Sequence, residues 1–502
     1  MSLTMFIKRL QDVMRKDSGV DGDAQRLAQI VWIVFLKIYD YKEETAELDD
    51  DYKLVIPEGY RWRDWAVGES LKDQKTGDDL LNFVNNKLIP VLSGAVIKDE
   101  DGNDIQPFDS TDDRSMLVKS IMDSAINYMK NGYLLREVIN IFNEIDFSNS
   151  AETHEFNDVY ESLLKGLQAA GTMGEFYSGR ALTSFIISKV DPQIGGTLAD
   201  WSAGTGGFLV DGLKHMQNQV GNDPHKQKLL QTAVRGGELK PLAYRLCVTN
   251  LMLHGIELPN ITYGDSLDIK QFSDYTEDDK VEYAALNPPY GGVALTSDLM
   301  AFPADLRSSE TADLFVALTV KRLKRNGRAG IILPDGFLFG TDNAKMNIKK
   351  YLMHECNLHT IIRLPSSCFA PYTSIATNIL FFDKTHATNE IWFYRLDMPE
   401  GYKHFSKTRP IKREHFQCVD EWWNNRQEIK DTETDTYKSR KYTYEEVEAN
   451  GFDIDLCGFP TIVKEVLSPE DTMRNFMDHR TELNKKIDNQ LAAILKLMEV
   501  NE

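Results

Sequence analysis

From about Gly171 onward, short β-branched runs alternate with glycine-rich turns and helical stretches. No other feature narrows the fold as far. Runs too short for helices, repeated with crossover-length segments between them, build a largely parallel sheet flanked by helices. The expected strands are residues 197–200, 232–235, 260–263, 281–286, 329–333, 358–364 and 378–382, with a last run at 391–394. Ligands of open α/β sheets bind beyond the carboxyl ends of the strands. The residues that follow the first four strands are therefore the first candidates for a site.

The first strand leads into Asp200-Trp201-Ser202-Ala203-Gly204-Thr205-Gly206-Gly207-Phe208. Glycines at a strand's end let a ligand approach the backbone closely. The spacing is not GxGxxG, and no Lys-Ser/Thr follows to make a phosphate loop. An acid just before the turn disfavours phosphate and favours a cationic ligand, such as the methionyl ammonium of S-adenosylmethionine. Glu238 follows the second strand, where an acid can accept both hydroxyls of a ribose. Asp265 follows the third, where a carboxylate can accept from an adenine amino group or cap the next helix. The fourth ends in Asn287-Pro288-Pro289-Tyr290. Two prolines stop the ladder and fix the backbone, so the Asn287 carboxamide and the Pro288 carbonyl form a rigid receptor for a planar NH2 group. Tyr290 adds a flat face beside them. Taken singly these are a tight turn, a solvated glutamate, a helix cap and a proline-ended loop; their order along the sheet is the specific signal.

Residues 4–168 read as a helical domain. Asp21 and Asp23 give an aspartate start signal, and Leu27, Ile30, Val31, Val34, Phe35 and Ile38 recur at helical spacing, with Trp32 and Tyr39 as core. Further helices are expected at 79–92, 113–128 and 154–166, with Asp101-Gly102-Asn103 as a turn. Residues 169–420 form the sheet domain and 421–502 a C-terminal extension. The extension ends in one helix with Ser468 as N-cap and Pro469 in its first turn. Met473, Phe476, Leu483, Ile487, Leu491, Ile494 and Met498 line one side of it, a stripe suited to another helix of the same chain or of a partner. Met1-Ser2-Leu3 precede a second candidate start at Met5 and are set aside as a remnant.

The longest apolar run near the start, residues 30–36, is too short to span a bilayer. No signal peptide is evident, and five scattered cysteines without a CxxC pair suit reduced thiols in a cytoplasm and disfavour a structural zinc. No metal is expected. The formal net charge is −20, which does not attract DNA; a DNA-acting chain of this charge needs a local basic face or a partner. Lys321, Arg322, Lys324, Arg325 and Arg328, followed by Lys345, Lys349 and Lys350, read either as a solvated helix terminus or as a phosphate track.

With these residues in place, the chain resembles the modification subunits of type I restriction–modification systems, which are DNA adenine-N6 methyltransferases. Gly174-Glu175-Phe176-Tyr177-Ser178-Gly179-Arg180 resembles the family's Gly-Glu-Phe-Tyr-Thr-Pro-Arg element, and the loop from Asp200 to Phe208 its Asp-Pro-Ala-Cys-Gly-Thr-Gly-Gly-Phe loop. Here Trp201-Ser202-Ala203 replaces Pro-Ala-Cys, Gly179 replaces proline, and Tyr290 stands where Phe is common. Asp313-Leu314-Phe315, Leu333-Pro334-Asp335-Gly336 and the stretch 373–379 resemble further family segments. The resemblance implies a Rossmann-like S-adenosylmethionine-dependent methyltransferase sheet with an all-α N-terminal domain and a helical tail. It implies cofactor contacts from Tyr177, Ser178, Arg180, Asp200, Ser202, Gly204, Thr205, Gly206, Gly207, Phe208, Glu238 and Asp265, and chemistry at Asn287, Pro288, Pro289 and Tyr290. It also implies double-stranded DNA with a flipped adenine, a specificity subunit, a second modification subunit and, in the full complex, a restriction subunit. Other acceptors of the same tetrapeptide remain open at this point: a protein glutamine, an RNA base or cytosine N4. So does a non-catalytic scaffold of the same fold.

Overall fold

The computed structural model describes residues 3–68, 74–98, 104–147, 157, 160–162, 164, 178–370, 373, 375–431, 436–459 and 469–499. It divides into two compact units, Met1–Lys430 with Tyr437–Gly458, and Asp431–Thr436 with Phe459–Glu502.

In the first unit the N-terminal region is built on helices α1 (Leu3–Met14), α2 (Asp23–Ala46), α3 (Asp113–Asp123) and α4 (Gly132–Asn143). Helix α2 buries the stripe expected from its spacing, and Trp32 and Tyr39 with it. Its N-cap is Gly22, not an aspartate; Asp23 sits inside the first turn and pairs with Arg26 one turn on. Helix α3 is capped by Asp112, whose side chain accepts from the Ser115 N–H at 3.2 Å. Helix α4 was not expected from the sequence. Asn131 caps it by accepting from the Tyr133 and Leu134 N–H groups, and Gly132 lets it touch a neighbouring turn, since a Cβ there would lie 1.8 Å from the Gly77 carbonyl oxygen. Ile97–Lys98 (β1) and Asp104–Ile105 (β2) form a short antiparallel pair, and the expected turn at Asp101-Gly102-Asn103 lies outside the described residues. The expected helix at 154–166 falls largely outside the described residues.

The rest of this unit is a ten-stranded sheet. Its strands are β3 (Leu198–Asp200), β4 (Val234–Glu238), β5 (Asn260–Tyr263), β6 (Val281–Leu286), β7 (Leu323–Pro334), β8 (Asn357–Arg363), β9 (Thr377–Asp383), β10 (Glu390–Arg395), β11 (Ile429–Lys430) and β12 (Tyr437–Thr443). The order is β11-β12-β10-β8-β9-β7-β6-β3-β4-β5. Strands β3 to β7 pair parallel. Strand β9 inserts antiparallel between β7 and β8, and β12 adds antiparallel beside β10, so the sheet is mixed and continues past residue 420.

One sheet face carries α5 (Arg180–Val190), α6 (Gly207–Gln217) and α7 (Pro241–Leu253); the other carries α8 (Thr311–Arg322) and α9 (Asn343–Glu355). The first face shares a single hydrophobic core with α1 to α4. Polar contacts cross the same junction: Lys42 Nζ donates to the Ile256 carbonyl at 2.8 Å, and the Ser120 and Tyr244 hydroxyls lie 2.9 Å apart. Trp32 and Phe35 are wholly buried in this core, and each such side chain contributes about 1.5–3 kcal/mol by its removal from water.

The basic run is not one track. Helix α8 ends at Arg322, and Lys324, Arg325 and Arg328 belong to β7. Lys324 pairs with Glu282 at 2.6 Å, Arg328 donates to the Asp191 carbonyl at 2.6 Å, and Lys345 is buried against Asp313 at 2.7 Å. Lys349 is buried too, and donates to the carbonyls of Leu338, Gly340 and Phe452.

The second unit consists mainly of α10 (Pro469–Glu499), with Met473, Phe476, Met477, Leu483, Ile487 and Leu491 exposed along it. Ser468 lies outside the described residues. Among the described residues no helix is long and apolar enough to cross a membrane.

Candidate active site

The carboxyl ends of β3, β4, β5 and β6 converge on one cavity of about 150 Å³. Its wall takes residues from all four strand ends, among them Asp200, Gly204, Glu238, Asp265 and Asn287. The glycine turn is shaped by necessity. Gly206 has φ +81° and is the N-cap of α6, and Cys247 of α7 lies beneath it, its Sγ 3.0 Å from where a Cβ would stand. On β4 a Cβ at Gly237 would meet the Ser266 hydroxyl at 2.2 Å.

The acids are held by backbone donors. Glu238 accepts from Gly204 N–H at 2.8 Å and from Lys240 N–H at 2.7 Å. Asp200 Oδ1 accepts from Ser202 N–H at 3.0 Å, while Oδ2 has no hydrogen bond among the described residues. Burial, followed by the nearby Glu238 carboxylate, outweighs the Ser202 hydrogen bonds and pushes the Asp200 carboxyl up to about 8. Burial also raises Glu238. Asp265 accepts from Leu267 N–H at 2.9 Å; burial and then the Asp298 and Asp268 carboxylates raise it. Lys240 lines the same wall and offsets part of the effect on Glu238, whereas among the described residues no cation acts on Asp200, so the Asp200 end favours a positively charged ligand.

At the far end, Asn287 is oriented from both sides. Its Nδ2 donates to the Ser178 hydroxyl at 3.1 Å, and its Oδ1 accepts from the Tyr290 hydroxyl. Tyr290 stands behind Asn287 and not in the cavity wall, its ring edge-on to Phe369 with centroids 6.4 Å apart. Pro289 lines the cavity, whereas Pro288 is buried beside it.

Of the expected cofactor contacts, Ser178, Asp200, Ser202, Gly204, Gly207, Phe208, Glu238 and Asp265 line the cavity together. Arg180, Thr205 and Gly206 do not. The Arg180 guanidinium is turned away: it pairs with Glu161 and Asp211 and donates to the Gly207 carbonyl at 2.6 Å, bracing the start of α6. Thr205 is buried, and its carbonyl accepts from the Asn250 amide at 2.9 Å. Tyr177 lies outside the described residues. Thr311 and Phe315, at the start of α8, also line the cavity but were not expected to. Their helix is fixed by buried Asp313, which accepts from Ser308 at 2.6 Å and pairs with Lys345. The segment Asp313-Leu314-Phe315 was the available signal.

Residues 151–461 match the N-6 DNA methylase family, and residues 3–142 match the HsdM N-terminal domain. The chain is 43% identical over 498 residues to the type I restriction enzyme EcoEI methylase subunit of Escherichia coli, covering 99% of this chain and 98% of that one.

It belongs to the N-6 DNA methylase family.

The type I restriction enzyme StySJI methylase subunit of Salmonella typhimurium is 29% identical, covering 80% of this chain and 72% of its own length. A chain from a solved type I R-M system superposes with TM-score 0.78 at 30% identity, covering 98% of each. Membership in the N-6 DNA methylase family implies use of S-adenosylmethionine, and the residues of this methylase fit such a group. The free Asp200 oxygen, the desolvated Glu238 and the side-chain-free Gly204 make a cradle for a cationic amino-acid head and a hydroxylated ring.

Proposed function

We infer that this chain transfers the methyl group of S-adenosylmethionine to N6 of adenine in DNA, as the modification subunit of a type I restriction–modification complex whose site is chosen by a separate specificity subunit. One observation carries the reading: a single cavity runs from the glycine turn after β3 to Asn287 after β6. The acceptor and donor ends of a methyl transfer then share one enclosed space.

The cofactor supplies an electrophilic methyl on sulfur. Asp200 would hold its ammonium, Glu238 its ribose hydroxyls, and Asp265 its adenine amino group. Adenine N6 is a weak nucleophile because its lone pair is delocalised into the ring. Asn287 Oδ1 would accept one N6 hydrogen on the lone pair that Tyr290 leaves open, and the Pro288 carbonyl, which does not line the cavity, would need to turn toward it to accept the other; both contacts favour a lone pair localised on nitrogen. The N6–methyl bond forms as the sulfur–methyl bond breaks, and N6 then releases one proton to solvent. Acceleration comes from positioning and fixed dipoles, without a strong base. To bring N6 to Asn287 in the cavity wall the base would have to leave the duplex.

Removing one such preorganised group costs on the order of 10²–10³ in kcat. Asn287→Ala should therefore lose methyl transfer by about that factor in a radiolabel assay on DNA with the specificity subunit present, while cofactor affinity holds. Unreduced activity would remove Asn287 from the reaction, and a wild type with no cofactor-dependent methyl transfer would instead support a scaffold.

A further inference from the structure

A second cavity, of about 230 Å³, shares Trp201 and Ser266 with the cofactor cavity. Its remaining wall includes Arg235 of β4, Lys270, Tyr275, Asp279 and Arg322 of α8. The Arg322 guanidinium lies over Trp201, 3.4 Å from the ring centroid, and 5.0 Å from the centroid of the Tyr275 ring. Arg235 approaches the same indole at 5.7 Å.

This wall has donors and positive charge in excess. Arg322 is only 7% exposed, and its one hydrogen bond among the described residues is from Nε to the Asp279 carbonyl at 3.3 Å. Arg235 makes one long bond, 3.4 Å, to the Asp278 carbonyl. The single carboxylate in the wall, Asp279, is committed to Lys270 at 2.6 Å and to the Thr276 N–H and hydroxyl. Two further wall groups, the Trp201 indole N–H and the Tyr275 hydroxyl, are buried with no partner among the described residues. Three cations thus face one carboxylate that is already engaged. Burial lowers both arginines, and Arg235 adds to the lowering of Arg322. Asp279 offsets only part of this for either arginine; buried donors and like charges with too little counter-charge are costly, and an anion among them lowers that cost.

We propose that the cavity between Trp201, Arg235, Tyr275 and Arg322 is a binding site for a phosphate-class oxyanion, either free phosphate or a phosphodiester of a nucleic-acid strand. Guanidinium groups pair with phosphate oxygens bidentately, and the two arginines supply such forks from adjacent sides. Because Trp201 also walls the cofactor cavity, an anion bound here bears directly on that cavity's shape.

The test is calorimetric titration of inorganic phosphate into the full chain, with ionic strength held constant by sodium chloride. Saturable binding is expected in the wild type, weakened at least about tenfold, or roughly 1.4 kcal/mol, in both Arg235→Gln and Arg322→Gln. Arg235 is only half-buried, so Arg235→Gln should keep the wild-type melting temperature and remains informative should Arg322→Gln fail to fold. Absence of saturable binding in the wild type, or binding unaltered in Arg235→Gln, overturns the site. The source of the phosphate is read from the salt dependence of DNA affinity in the assembled complex. A strand phosphate in the cavity predicts that Arg235→Gln lowers the slope of log K against log salt by about one; an unchanged slope alongside weakened phosphate binding assigns the site to free phosphate. The phosphate titration does not depend on the methyl-transfer reading, so the two can fail separately.

Discussion

Asp200 concentrates the electrostatics of the cofactor cavity. Its carboxyl is raised from 3.8 to about 8, chiefly by burial. Between those values the folded protein holds a proton that the unfolded chain has lost, so this group's contribution to stability falls as pH rises through that interval. A cationic ligand favours the ionised form. S-adenosylmethionine should thus bind more tightly at pH 8.5 than at pH 6, with proton release that differs between buffers in calorimetry; Asp200→Asn should flatten the pH dependence, and a pH-independent wild type would remove Asp200 from the site. Asn287 is held by Ser178 and Tyr290 together, and a carboxamide oxygen has two lone pairs. Tyr290→Phe should therefore cost no more than about tenfold in kcat, or ~1.4 kcal/mol, while Tyr290→Phe with Ser178→Ala should cost clearly more in single-turnover methylation. A silent double variant would deny both residues an orienting role. The sequence marked these positions because acids, glycines and prolines at strand ends are local signals. It could not show that Arg180 points away from the cavity or that Tyr290 stands behind Asn287, since adjacency in the chain does not fix side-chain direction.

At the level of elements, the first four strands were legible because each stops at a residue unable to continue a ladder or able to start a helix. Strands β5 and β6 fall on the expected residues, and β4 runs on to Glu238. Strand β12 was missed because it sits near the sheet's edge and is mostly half-exposed, so tyrosine and charged residues take the place of an apolar alternation. The antiparallel insertion of β9 was equally hidden, because strand direction depends on where the connections run. The turn between β3 and α6 is the most demanding local conformation at the site. Gly206→Ala would force a side chain into the left-handed region at φ +81° and toward Cys247, costing about 1–2 kcal/mol. A matching fall in the urea midpoint, with weakened cofactor binding, is expected; wild-type values for both would show that the turn adapts without strain.

At the scale of the whole molecule, α10 falls in a unit of its own, with large apolar side chains exposed between Met473 and Leu491. Exposed rows of this length mark interaction surfaces. Removing residues 469–502 should abolish co-purification with a specificity subunit while leaving S-adenosylmethionine affinity unchanged; retained assembly would show that docking lies elsewhere. The catalytic body itself is less divided than its composition suggested, because the N-terminal helices and the first sheet face share one core. Helix α2 packs on α7, and α7 places Cys247 under Gly206 and Asn250 against the Thr205 carbonyl. Helix α7 therefore touches the N-terminal bundle on one side and the glycine turn of the cavity on the other, so a change in how the bundle packs has one helix between it and that turn.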